Sequence, residues 1–116
     1  MPFRFEDLQV WQKALELNDQ INIAAEGFPK DELYALVNQM KRAADSVVLN
    51  IAEGSTGQTK AVFKVFLNYS LRSAVEVVSC LFIAKRRNYL TQEQFTILYN
   101  EYEILVKMIT ALRNSI

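Results

Sequence analysis

Gln39-Met40-Lys41-Arg42-Ala43-Ala44-Asp45-Ser46-Val47-Val48-Leu49-Asn50-Ile51-Ala52-Glu53-Gly54 is the stretch from which the fold can be read. At about 100° of helical rotation per residue its side chains separate into two arcs. Leu36, Val37, Met40, Ala43, Ala44, Val47, Val48 and Ile51 share one arc, with Leu33 upstream. Gln39, Arg42, Ser46, Asn50 and Glu53 fall on the other, at steps of three and four. This is an amphipathic helix, and Gly54 is expected to end it by adopting positive φ. The polar arc has two readings. One is a solvated face, the common fate of polar helix faces. The other is a polar seam inside the molecule, joined by Ser73 and Glu76, in which Arg42 is partly buried and bonded to Glu76 or Glu53.

Upstream, Phe3-Arg4-Phe5 leads into a helix over about 6–25, with Glu6 and Asp7 in its first turn where negative charge suits the dipole. Val10, Ala14, Leu17, Ile21 and Ala24 form one apolar stripe; Leu8, Trp11 and Leu15 form a second, so this helix meets more than one neighbour. Trp11 reads as a core anchor. Gly27 and Pro29 close the helix, and Asp31 and Glu32 open the next, over about 31–53.

Downstream, Gly54-Ser55-Thr56-Gly57 is a loop whose glycine spacing matches no nucleotide motif. Thr59 is placed to cap a third helix over about 60–87. Its inner face is Phe63, Phe66, Ser70, Ala74, Val77 and Leu81, yet Val62, Val65, Tyr69, Leu71, Val75, Val78, Phe82 and Ile83 spread around the remainder. A helix this apolar is covered on more than one side, which points to a subunit interface including Val65, Tyr69 and Phe82. Lys85-Arg86-Arg87 sits in the last turn, where cations suit the dipole, and Asn88 tolerates the left-handed conformation that follows. Thr91 and Gln94 fit a capping box for a fourth helix over about 92–115. Phe95, Leu98, Tyr102, Leu105, Ile109, Leu112 and Ile116 repeat there at alternating steps of three and four, a seam for near-parallel packing. Short connections then give an all-α, up-down-up-down antiparallel four-helix bundle, one domain over residues 1–116.

The totals agree. A chain of 116 residues with 51% hydrophobic and 22% charged residues reads as one folded domain, and three Gly and two Pro leave little for turns. Thirteen cations balance thirteen anions, so no wholesale attraction to nucleic acid or membrane is implied. Cys80 is the single cysteine and sits among apolar neighbours, a buried structural thiol consistent with the cytoplasm. No apolar run is expected to span a bilayer.

There is no histidine. The usual general base and the usual metal ligand are both missing, and the Glu-x-x-His pairs of di-iron bundles cannot form. Asp7, Glu53 and Glu76 could meet inside the bundle, but Arg42 offers them a neutralising partner. The expectation is therefore no catalytic site, no metal, no cofactor and no small-molecule substrate.

The pattern Gln39-x-x-Arg42-Ala43-x-x-Ser46-x-x-x-Asn50-Ile51-Ala52-Glu53-Gly54 also resembles the signature of small bacterial four-helix-bundle proteins first found encoded in intervening sequences of 23S ribosomal RNA genes. The likeness extends through Phe5, Leu8, Val10-Trp11, Ala14, Phe28-Pro29, Glu32, Phe63, Phe66-Leu67, Ser73 and Glu76. Arg72 departs from it, standing where a small residue is expected, and so does Asn88, standing where Gly is expected. The resemblance implies a ring of subunits, a pentamer, and no established biochemical activity. It also implies kinship with accessory proteins of retroelement reverse transcriptases, whose surfaces are strongly basic. Two functional expectations follow: a non-catalytic oligomeric interaction scaffold, or RNA or ribonucleoprotein binding through a basic rim formed by Lys85, Arg86 and Arg87.

Overall fold

A computed structural model describes residues 2–57 and 59–116. Four helices carry the fold: α1 (Gln9–Ala25), α2 (Asn38–Gly54), α3 (Lys60–Arg86) and α4 (Gln92–Ser115). Each packs on its neighbour in the chain, and α1 closes the ring against α4, so α1 and α3 lie on one diagonal and α2 and α4 on the other. This is the up-down-up-down bundle expected from the sequence, a rod of 43 × 23 × 23 Å.

The core follows the apolar stripes. Val10, Ala14, Leu17, Ile21 and Ala25 of α1 are buried, and Phe95, Leu98, Tyr102, Leu105 and Ile109 of α4 face them. In α3 the fully buried positions include Leu67, which replaces the half-buried Phe66 of the expected stripe. Ser70 is buried there too, and it is satisfied by donating to the Val47 carbonyl at 2.9 Å, a bond that ties α3 to α2. Cys80 is a buried free thiol whose pKa is pushed up by burial and, after that, by Glu76. The two expected caps form: Thr59 Oγ1 accepts from the Val62 N–H, and Thr91 and Gln94 make a reciprocal capping box.

The element starts differ from expectation in two places. Residues Arg4–Asp7 form a separate 3₁₀ turn, and Leu8 is extended (φ −81°, ψ 123°), so α1 begins at Gln9. Glu6 is drawn into closing that turn, its carboxylate accepting from the Phe3 N–H at 3.1 Å. Phe3 stacks on Phe5, and Phe5 leans on the half-buried Trp11 with centroids 4.7 Å apart. Ahead of α2, a 3₁₀ turn (Lys30–Glu32) passes into a π-helical turn (Leu33–Val37) before the α-helix starts at Asn38. The wider turn shifts register upstream of it, and Leu33 is left exposed while Leu36, Val37 and every later apolar position of the stripe are buried.

Gly54 is the last residue of α2, but it is a glycine for a reason other than the one expected. It has no positive φ, whereas Gly57 in the following loop does (φ 86°). Gly54 is buried where α2 meets α3, and a Cβ there would lie 2.6 Å from Phe66 Cβ and 3.0 Å from Phe63 Cδ1. The residue is small because two helices touch at it.

At 27 residues α3 is the longest helix, and its most apolar 18-residue window reaches a mean hydropathy of 1.3, enough in length and composition to cross a membrane. Every such window contains both Arg72 and Glu76, and one face of the helix is committed to the bundle core.

Candidate functional site

The polar residues of α2 and α3 do come together, on the surface. An open groove of about 540 Å³ between the two helices is lined by Tyr34, Ala35, Asn38, Gln39, Arg42, Ala43, Ser46, Ser73 and Glu76. Five of the seven residues read from the sequence as a polar seam are therefore neighbours: Gln39, Arg42, Ser46, Ser73 and Glu76. Ser73 donates to Ser46 Oγ at 2.8 Å across the helix pair, and Asn50 Nδ2 donates to Ser46 Oγ at 2.9 Å from the next turn of α2. Glu53 lies outside the groove and is exposed, as is Asp7.

The buried reading of this seam is corrected. Gln39, Arg42, Glu53 and Glu76 are exposed, and neither Arg42 nor Glu76 makes an ion pair among the described residues. The π-helical turn places Tyr34 on the rim of the groove, 89% exposed. Because Arg42 leaves no partner unpaired in the interior, Arg42→Ala should change the unfolding free energy of the single chain by less than about 0.5 kcal/mol. Denaturant titration of the two proteins under dissociating conditions checks this.

At the C-terminal end of α3 the basic cluster is mostly engaged. Arg87 Nη1 lies 2.7 Å from Glu32 Oε2, and the Tyr89 hydroxyl donates to the same oxygen at 2.7 Å. Lys85 is half-buried with its ammonium over the Phe95 ring, 4.6 Å from the centroid. Arg86 is exposed and unpaired among the described residues. The turn after α3 is built as expected for a left-handed stop. Asn88 has φ 63°, its N–H bonds the Lys85 carbonyl at 3.0 Å, and the Tyr89 N–H bonds the Ala84 carbonyl at 2.9 Å.

Glu32 thereby clasps the α1–α2 connection to the α3–α4 connection, with Phe28 against Tyr89 beside it (centroids 5.3 Å apart). The Tyr89 hydrogen bond, and after it the Arg87 guanidinium, hold the Glu32 carboxyl below the usual carboxylate range, against partial burial working the other way. A depressed carboxyl contributes stability above its unfolded pKa, and that contribution is lost as pH falls through the folded pKa. Glu32→Gln should therefore be less stable than the parent at neutral pH, and the gap should close on acidification below the usual carboxylate range. Paired thermal melts across pH 7 to about 3 check the sign.

The expected interface trio splits between two sides of α3. Val65, Tyr69 and Phe82 are all exposed. Tyr69 meets the edge of Phe66, whereas Phe82 turns toward α4 and packs edge-on against Phe95 and Tyr99. Phe82 is thus partly structural, and it belongs to a hollow of about 800 Å³ lined by Phe82, Ile83, Lys85, Arg86, Arg87 and Asn88. Sequence reasoning named neither Leu49 nor Leu15 as surface. Both are exposed, and the bonds Ser70–Val47 and Asn18–Asp45 place Leu49 level with Tyr69 on one side and with Leu15 on the other. Among the described residues no group of acidic and thiol side chains could hold a metal ion.

The profile of a protein family described as "23S rRNA-intervening sequence protein" matches residues 6–111. The chain is similar to a crystal structure of a protein with unknown function from the S23 ribosomal protein family of Bacteroides thetaiotaomicron. The TM-score is 0.83 and the identity 26%, over 90% of this chain and 97% of that one. No curated protein matches the chain.

Proposed function

This chain belongs to the 23S rRNA-intervening sequence protein family, and on that premise we propose that it is a non-catalytic, cytoplasmic, oligomeric bundle acting as an interaction scaffold. One observation carries the reading. The buried stripe of α3 is complete, from Phe63 to Ala84, and yet Val65, Tyr69, Val75, Phe82 and Ile83 of the same helix remain 39–62% exposed. A single helix contributing that much apolar surface to solvent marks an association surface. Ring assembly, with a pentamer as the working stoichiometry, covers it. The proposed role involves no cofactor, membrane or small-molecule substrate. The test is Val65→Asp combined with Tyr69→Asp, chosen because neither side chain is buried. Light scattering should show a lower mass than the parent while circular dichroism keeps its helical amplitude. An unchanged mass removes this face from the assembly.

A second reading, RNA or ribonucleoprotein binding through a basic rim, has narrower support. Arg86 and the hollow beside it favour it, but Arg87 is committed to Glu32 and Lys85 to Phe95. Each chain then offers the rim one uncommitted cation among the described residues. Any affinity for single-stranded RNA should be weak and should fall with salt by about −0.7 in log–log slope per neutralised phosphate. Affinity at two salt concentrations, for the parent and for Ala at positions 85, 86 and 87, checks it. Binding that the triple change leaves untouched overturns the rim.

A further inference from the structure

The outer faces of α1 and α3 carry opposite charge and point away from each other. On α1 the exposed stripe is Gln12, Glu16, Asp19 and Ile23, continued by Glu26 just beyond the helix. On α3 it is Val65, Arg72, Val75, Ile83 and Arg86, with Glu76 beside it. The α1 residues run at steps of three and four and those of α3 keep to one face at steps of three, seven and eight, the spacing of a seam that packs nearly parallel to another helix. Neither stripe has a partner inside the bundle, because α1 and α3 occupy opposite corners.

The charges on both stripes are uncompensated. None of Glu16, Asp19, Glu26, Arg72 or Arg86 makes an ion pair among the described residues, and Glu76 is the one acid on the outer side of α3. Other acidic groups are already engaged: Glu101 pairs with Lys13, Glu103 lies 3.8 Å from Lys107, and Asp45 accepts from Asn18 at 2.8 Å. Glu53 on α2 and Glu93 on α4 are exposed and outside the ion pairs too, but each stands alone on its helix, whereas α1 gathers its acids in one row. Apolar surface accompanies the charge on each side, with Ile23 on α1 67% exposed and Val75 on α3 62% exposed.

We propose that the acidic stripe of α1 docks on the basic stripe of α3 in the next copy of this chain, a head-to-tail contact. A two-fold contact of either face with itself would set like charges against each other, which costs specificity and affinity. A head-to-tail contact sets the acidic stripe of one copy, with Glu16, Asp19 and Glu26, against the basic stripe of the next and leaves each copy with one free face of each sign, which is the condition for closing a ring. Arg72 supplies one of the two cations of the basic stripe. The inference rests on the oligomeric reading above and names the faces that join.

Charge reversal tests it. The variant Glu16→Lys/Asp19→Lys and the variant Arg72→Glu/Arg86→Glu should each shift the solution mass toward the 13.4 kDa of one chain, with helicity retained. The chain carrying all four changes restores opposite signs between the reversed positions and should recover the parent mass. If the parent itself is a monomer, the oligomeric reading fails and this inference falls with it. If the parent is an oligomer and the separate reversals leave its mass unchanged, or the fourfold chain does not reassemble, the oligomeric reading stands and this pairing of faces is wrong.

Discussion

Leu105→Ala is expected to cost about 2–5 kcal/mol of unfolding free energy, the loss typical of a large aliphatic side chain truncated in a packed core. Leu105 is 0% exposed in the middle of the α4 seam, between Tyr102 and Ile109, which are equally enclosed. Removing its branched end deletes favourable transfer and leaves a void that close-packed neighbours on all sides fill only in part. Leu112, one heptad on, is half-buried and can be refilled from the surface, so Leu112→Ala should cost clearly less. Urea denaturation at one fixed protein concentration measures both, since association contributes to apparent stability. Equal losses at 105 and 112 would mean that the seam is not buried in the order described.

Gly54→Ala should also destabilise, by about 1–3 kcal/mol, the usual cost of forcing extra volume into a filled site. In an exposed helix the same change would stabilise by up to about 1 kcal/mol through helix propensity, so the sign itself is diagnostic. In this protein the new methyl would meet Phe66 Cβ at 2.6 Å. A Cβ is fixed to its backbone and cannot swing aside like the tip of a long side chain, so α2 and α3 would have to separate. A higher melting temperature for Gly54→Ala would show that the helices do not approach as closely as described.

Much of the fold is legible in the sequence because it is written in periodicity. The α4 seam, the buried arc of α2, the caps at Thr59 and Thr91, and the left-handed Asn88 are all local signals, and each appears where the residues place it. The irregular starts are not legible. Acidic residues at 6 and 7 suit a helix start and a 3₁₀ turn alike, and no residue type announces the π turn at Leu33–Val37. Gly54 illustrates a related limit: its place at a helix end suggests backbone freedom, whereas its contact is with α3 and is visible only in three dimensions.

The surface is harder still. A polar arc has the same spacing whether it is wet or enclosed, so the exposure of Arg42 cannot be read from the helix alone. The clasp of Glu32 by Arg87 and Tyr89 joins residues more than fifty positions apart and has no local signature. The split between Tyr69 and Phe82 is within reach of the sequence, since thirteen residues at about 100° each put them about 140° apart on α3. Arithmetic of that kind separates surfaces that a shared apolar character merges.

Self-assembly of this chain is the central claim, since both the scaffold role and the pairing of α1 with α3 depend on it. Native mass spectrometry of the parent protein at micromolar concentration tests it most directly. One dominant species at an integer multiple of 13.4 kDa, greater than one, is the predicted result, whereas a single species at 13.4 kDa throughout a dilution series would contradict it.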